Sequence, residues 1–132
     1  MKTLEIGNAL VALCREDKAE DAMNTFYADD IVSIEGAKGP KASIRTEGLE
    51  AVREKTRQWL EATEVHALGV EGPFVAEDSD QFSCIFDIDI TDKASGQRIQ
   101  MREIALYTVR GDKIVEEQFF FPPMPGMGEA AG

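Results

Sequence analysis

Phe26-Tyr27-Ala28-Asp29-Asp30-Ile31-Val32-Ser33-Ile34-Glu35-Gly36 joins the end of an apolar helix pattern to a short strand. Upstream, Ala19, Ala22, Met23, Phe26 and Tyr27 recur at helical spacing, and Asp29-Asp30 punctuate that pattern. From Ile31 to Glu35, isoleucine and valine favour an extended chain. Glu35 stands at the far end of this strand, just before Gly36. The arrangement offers one carboxylate to a concavity between helix and sheet, where a proton-transfer base or a ligand anchor could sit.

Two more helices flank this stretch. Thr3 is placed to cap a first one, with Leu4, Ala9, Leu10, Leu13 and Cys14 as its apolar face, and Asp17 with Glu20 reads as a capping box for the second. Gly36 to Glu47 holds Gly36, Gly39 and Pro40 and little that is apolar, so it reads as a loop, either a pocket lid or a connector. Between Gly48 and Thr63, the spacing of Leu49, Val52, Thr56, Trp59 and Leu60 predicts the strongest helix of the chain, with Glu50, Arg53, Glu54 and Arg57 outside.

The second half reads as strands. Val65 to Ala76 alternates irregularly around Gly69, Gly72 and Pro73, which suggests a bend or bulge. Gln81 to Ile90 alternates well, with Phe82, Cys84, Phe86, Ile88 and Ile90 on one side and Asp87 and Asp89 on the other. Arg98 to Arg110 and Lys113 to Phe121 flank Gly111-Asp112, a two-residue hairpin signal. Helices first and antiparallel strands after them make an α+β domain over residues 1–122, with a flexible tail at 123–132.

Charge excludes several functions. With 14 basic against 25 acidic residues and a net charge of −11, the chain lacks the clustered cations that bind nucleic acid or an anionic membrane surface. A small neutral molecule is the partner this balance least opposes. Cys14 and Cys84 are far apart with no histidine or cysteine at ligand spacing, and the N-terminal stretch lacks a long apolar run, so reduced thiols in a cytoplasmic protein are expected. His66, the sole histidine, has no partners with which to hold a metal. No metal and no cofactor are expected.

The final hairpin supplies a second acidic candidate. Met101, Glu103, Ala105, Tyr107 and Val109 share one face, which places Glu103 among apolar residues in a central strand. It is either a site residue, the partner of a neighbouring arginine such as Arg98 or Arg102, or simply exposed. Across the turn, Glu116 and Gln118 join this face if the ladder is regular; a bulge in the last strand would bring Glu117 instead.

The segments Tyr27-Ala28-Asp29-Asp30-x-x-x-x-Glu35, Glu47-Gly48-x-x-Ala51-Val52-Arg53 and Tyr107-Thr108-Val109-Arg110-Gly111-Asp112-Lys113-Ile114 together resemble the SnoaL-like branch of the nuclear-transport-factor-two-like superfamily, which includes ketosteroid isomerases. The resemblance implies three helices packed on a curved antiparallel sheet around a conical pocket, and a homodimer formed through the sheet back. Glu35 falls where ketosteroid isomerases place their aspartate base. Their two oxyanion donors are not matched: Val11 or Ala12 stands at the tyrosine position and Ala105 at the aspartic acid position.

The expectation is therefore a protein that binds a small, largely apolar molecule, with Glu35 and Glu103 as catalytic groups and Trp59, Phe82, Phe86, Met101, Tyr107 and Gln118 as the lining. Its reaction would be a cofactor-free proton transfer of isomerase or polyketide-cyclase type. The alternative is a non-catalytic ligand-binding or dimerisation module. An epoxide-opening hydrolase would need Asp87, Asp89 and Arg102 inside the cone.

Overall fold

The computed structural model describes residues 2–36 and 43–121. Three helices, α1 (Lys2–Arg15), α2 (Ala19–Phe26) and α3 (Leu49–Ala62), accompany six strands: β1 (Tyr27–Gly36), β2 (Ser43–Glu47), β3 (Thr63–Val75), β4 (Gln81–Asp92), β5 (Arg98–Arg110) and β6 (Lys113–Phe120). The strands form one open sheet in the order β2-β1-β6-β5-β4-β3. All neighbours are antiparallel except β1 and β6, which run parallel, so the sheet is mixed.

Several local expectations shift. The 36–47 stretch is not all loop: Ser43–Glu47 pairs with the end of β1, adding an edge strand. Tyr27 opens β1 instead of closing the helix, and Asp29 and Asp30 lie exposed within the strand. The Asp17–Glu20 capping box does not form. Lys18 occupies the cap position without a side-chain bond, because Asp17 turns the chain at φ 60°. The remainder of the expected lid, residues 37–42, and the expected tail at 123–132 lie outside the described residues.

One face of the sheet carries the helices. Along β4, Phe82, Cys84, Phe86, Ile88 and Ile90 are buried, and Ile6, Leu10 and Val11 of α1, Ala22 and Met23 of α2 and Val52 of α3 join them in one core. Burying each large side chain contributes about 1.5–3 kcal/mol. α1 approaches closely enough that a Cβ on Gly7 would lie 2.9 Å from the Pro73 ring, so glycine is needed at this crossing. The opposite face carries Asp87, bonded by Arg102 at 2.7 Å, and Asp89, bonded by Arg98 at 2.9 and 2.7 Å.

Two features set the geometry of the inner face. Gly48, at φ 94°, donates its N–H to the Ile31 carbonyl at 2.8 Å and offers its own carbonyl to Val52 N–H at 3.0 Å. That pins the first turn of α3 to the middle of β1. In β6 the pairing with β5 slips between Thr108↔Glu116 and Val109↔Ile114, leaving Val115 bulged. Beyond the bulge Glu117 stands opposite Tyr107 and Phe119 opposite Ala105, while Glu116, Gln118 and Phe120 face outward with Thr108, Leu106 and Ile104.

Candidate active site

Cross-strand register arranges the inner face in rows. Ser33, Glu117, Tyr107 and Phe82 lie side by side across β1, β6, β5 and β4, and all four are buried. The next row is Glu35, Phe119, Ala105 and Cys84; beyond it come Glu103 opposite Phe86, then Met101 opposite Ile88. Burial falls from the first row outward, since Glu35, Phe119, Glu103 and Met101 are partly exposed. The inner face is closed at the Ser33–Phe82 row and opens towards Glu35 and Glu103.

The closed row contains a hydrogen-bonded chain. Glu117 is 2% exposed. Tyr27 Oη donates to Glu117 Oε1, and Ser33 Oγ donates to Glu117 Oε2 at 2.7 Å. Lys55, which α3 projects from the stripe holding Val52, donates from Nζ to Ser33 Oγ at 2.7 Å. An ammonium can only donate, so the serine proton must point at Glu117 and the polarity of the chain is fixed. Burial raises the Glu117 carboxyl, against the lowering pull of Ser33, Tyr27 and Lys55. Burial, with the Glu117 charge second, also raises the Tyr27 and Tyr107 hydroxyls.

At the open end, Lys55 Nζ lies 3.3 Å from Glu35 Oε1 and 5.8 Å from the centre of the Phe119 ring. The side chains of Lys55 and Glu35 are 26% and 35% exposed. Glu103 makes no hydrogen bond to a described side chain. Its carboxyl is pushed up to about 7, chiefly by burial and then by the charges of Glu35 and Glu117, with Lys55 opposing. The arginines that might have neutralised it, Arg98 and Arg102, bond to Asp89, Asp87 and Glu71 on the outer face.

The structure thus brings Glu35 and Glu103 to one region. Glu35 is partly exposed there, and the dry position belongs to Glu117. Phe86 and Met101 lie on the inner face near Glu103. Phe82 and Tyr107 stack on each other at 4.8 Å, filling the closed end instead of lining a space. Trp59 follows Lys55 by one turn on α3 and is exposed. Gln118 lies outside this site: the bulge at Val115 turns it to the outer face. Arg102 bonds Asp87 on the outer face, and Asp89 is bonded there by Arg98 instead, which removes the geometry an epoxide-opening hydrolase would require.

Sequence reasoning missed Lys55 and Ser33, and it left Glu117 as one of two alternatives. The signal for Lys55 was a cation interrupting the Val52–Thr56–Trp59 stripe of α3. For Ser33 it was a polar residue on the Ile31–Glu35 face of a buried strand.

The SnoaL-like domain family model matches residues 1–121. This chain belongs to the SnoaL-like family. Consistent with that, a protein provisionally described as a SnoaL-like polyketide cyclase from Mesorhizobium loti is 42% identical, with a TM-score of 0.80 over 88% of this chain and 96% of the other. The SnoaL-like fold also aligns with a protein from Catenulispora acidiphila of ketosteroid-isomerase-like fold, solved in complex with trimethylamine, at 18% identity and a TM-score of 0.69 over 98% of this chain and 92% of that one. A protein provisionally described as an isomerase from Bacillus subtilis aligns at 15% identity and a TM-score of 0.71, over 91% and 86% of the two chains. No curated protein matches the chain. Among the described residues no helix is long and apolar enough to cross a membrane.

Proposed function

We propose that this SnoaL-like protein catalyses a cofactor-free proton transfer next to a carbonyl in a small, largely apolar molecule, as an isomerase or a cyclase would. The observation that carries this reading is the pair Glu35 and Glu103. One is ion-paired to Lys55 at 3.3 Å, and the other has no hydrogen-bond partner among the described residues and is pushed up to about 7, chiefly by burial. Two neighbouring carboxyl groups in unlike environments can serve as base and acid in one site. Glu35 takes the proton from carbon and Glu103 returns one; Phe86, Met101 and Phe119 supply apolar surface for the substrate. Trimethylamine bound by a protein of the same fold supports a small-molecule role.

The protein acts as a homodimer through the outer face of the sheet. Ile104 and Phe120, 49% and 45% exposed, are directly paired there beside Ile85, bordering a depression of about 380 Å³. The free thiols Cys14 and Cys84 favour a reducing, cytoplasmic setting.

The test is deuterium incorporation next to the carbonyl in a panel of ketones and 1,3-dicarbonyl compounds in heavy water. Wild-type protein is expected to accelerate exchange in at least one of them, and Glu35→Gln to lower that rate about 10²-fold or more with its melting temperature kept. Exchange undiminished in Glu35→Gln, or absent throughout the panel, overturns the assignment.

A further inference from the structure

Lys55 has a role to fill that the proton transfer leaves open. An ammonium carries three donors. One goes to Ser33 Oγ at 2.7 Å, and the ammonium also faces Glu35 Oε1 in an ion pair at 3.3 Å. Among the described residues, Ser33 is the only one that accepts a hydrogen bond from it. The Lys55 side chain is partly exposed, with its nitrogen 5.8 Å from the centre of the Phe119 ring, and Glu103 also lacks a hydrogen-bond partner among the described residues. By the sequence resemblance, Val11 or Ala12 and Ala105 stand where ketosteroid isomerases carry the tyrosine and aspartic acid that receive an enolate oxygen, and Val11 and Ala105 are buried.

We propose that Lys55 is the oxyanion-binding group of the site, that its ligands are compounds which expose an enolate-like oxygen when deprotonated, and that Ser33 and Glu117 are positioning residues that act through Lys55. This rests on the proton-transfer reading of the same site, and it names the group that reading lacks.

The charge balance favours the assignment. Before reaction the Lys55 cation faces the Glu35 carboxylate. When the substrate C–H bond breaks, its proton passes to Glu35 and the electron pair moves onto the carbonyl oxygen. Negative charge leaves Glu35 and appears on that oxygen, so Lys55 keeps one counter-anion throughout and the site's net charge is unchanged. A cation held in advance by Ser33 needs little reorganisation as the oxyanion forms. Glu117 fixes the serine through the 2.7 Å bond, and Tyr27 occupies the other carboxylate oxygen, so Ser33 has one orientation in which to accept from Lys55.

Substituted phenols of graded acidity make suitable probes, because the phenolate oxygen mimics an enolate and absorbs differently from the neutral phenol. At a pH below each phenol's own pKa, wild-type protein is expected to bind the series and convert bound phenol to phenolate. Lys55→Met should weaken binding by about 10- to 100-fold, the range for a hydrogen bond to a charged group, and abolish the phenolate absorbance. Lys55→Arg should restore part of that absorbance. Ser33→Ala and Glu117→Gln should stay folded yet lower the phenolate fraction, which a purely structural role would leave unchanged in the folded protein. Lys93→Met, the same charge change outside the site, should alter neither.

Phenolate binding that Lys55→Met leaves intact overturns the proposal, and so does failure of wild-type protein to bind any phenol of the series. Each outcome separates from the proton-transfer reading. Lys55-dependent phenolate formation without carbon exchange supports this assignment while refuting that one; exchange that survives in Lys55→Met does the reverse.

Discussion

Lys55 on α3 donates a 2.7 Å hydrogen bond to Ser33 in the middle of β1. The bond crosses from the helical layer to the sheet and ties a partly exposed cation to a buried carboxylate, Glu117, one step further in. Stability and site geometry therefore share the same atoms.

The buried end of the chain should be the costlier one to disturb. Tyr27→Phe removes a donor to a carboxylate that is almost fully shielded from water. A loss of about 1.5–3 kcal/mol is expected in urea unfolding, because a charge-assisted bond is lost and Glu117 remains buried with one partner fewer. A loss below about 0.5 kcal/mol would mean that Glu117 is not ionised in the native protein.

Glu103 gives the fold a pH dependence of known sign. Its carboxyl is raised from an ordinary value of 4.5 to about 7, so the unfolded chain releases this proton first as pH climbs. The stability associated with protonated Glu103 is complete below 4.5, drains away as pH rises to about 7, and is absent above it. Glu103→Gln imitates the neutral acid at every pH. The variant should match wild type near pH 4.5 and exceed it near pH 8 by at most about 3 kcal/mol, a ceiling that solvent at this partly open position will lower. Denaturation midpoints across that range measure the gap; parallel pH curves would refute the shift.

The facing of β6 can be checked by contrast. Glu117→Ala should cost more than about 2 kcal/mol by removing the acceptor for Tyr27 and Ser33 from a closed row. Gln118→Ala, one residue on and facing outward, should change stability by no more than about 0.5 kcal/mol. Equal costs would imply a register other than the bulged one.

Gly48 anchors the helix that presents Lys55. At φ 94° an alanine is strained even though nothing crowds its Cβ, so Gly48→Ala should cost about 1–2 kcal/mol. It should also weaken phenol binding, since α3 starts from this residue. Calorimetry and the absorbance titration report the two effects separately.

The proposed subunit contact yields a further test. Ile104→Lys with Phe120→Lys places two charges on adjacent exposed positions of β5 and β6. In sedimentation the variant should run as a monomer where wild type runs as a dimer. A wild-type monomer would return these residues to ordinary surface.

How far the sequence could be read depended on the range of each interaction. α3 and β4 were legible because their patterns are local: the Val52–Thr56–Trp59 stripe has helical spacing, and Phe82 to Ile90 alternates without interruption. The opening motif placed β1 correctly at Glu35 but put its start too late, since Tyr27 is apolar enough for either a helix or a strand. β2 went unread because Ser43–Glu47 holds a single apolar residue, Ile44, and so carries no alternation, although its pairing partner β1 ends only a few residues before it. In the site, Glu35 and Glu103 could be picked out from strand position alone. Lys55 and Ser33 left only a polar residue on an apolar face as a signal, and their pairing comes from a helix crossing a strand, which depends on the Gly48 contact with Ile31.

The extra residue at Val115 also bears on how relatives are compared. A protein lacking it would align over β6 with Gln118 or Glu116 opposite the functional carboxylate, and residue-by-residue transfer from such a template would assign the role to a side chain on the wrong surface. Within this family the last strand should be matched by which way its side chains point, with the gap placed at the bulge, before any catalytic label is carried across.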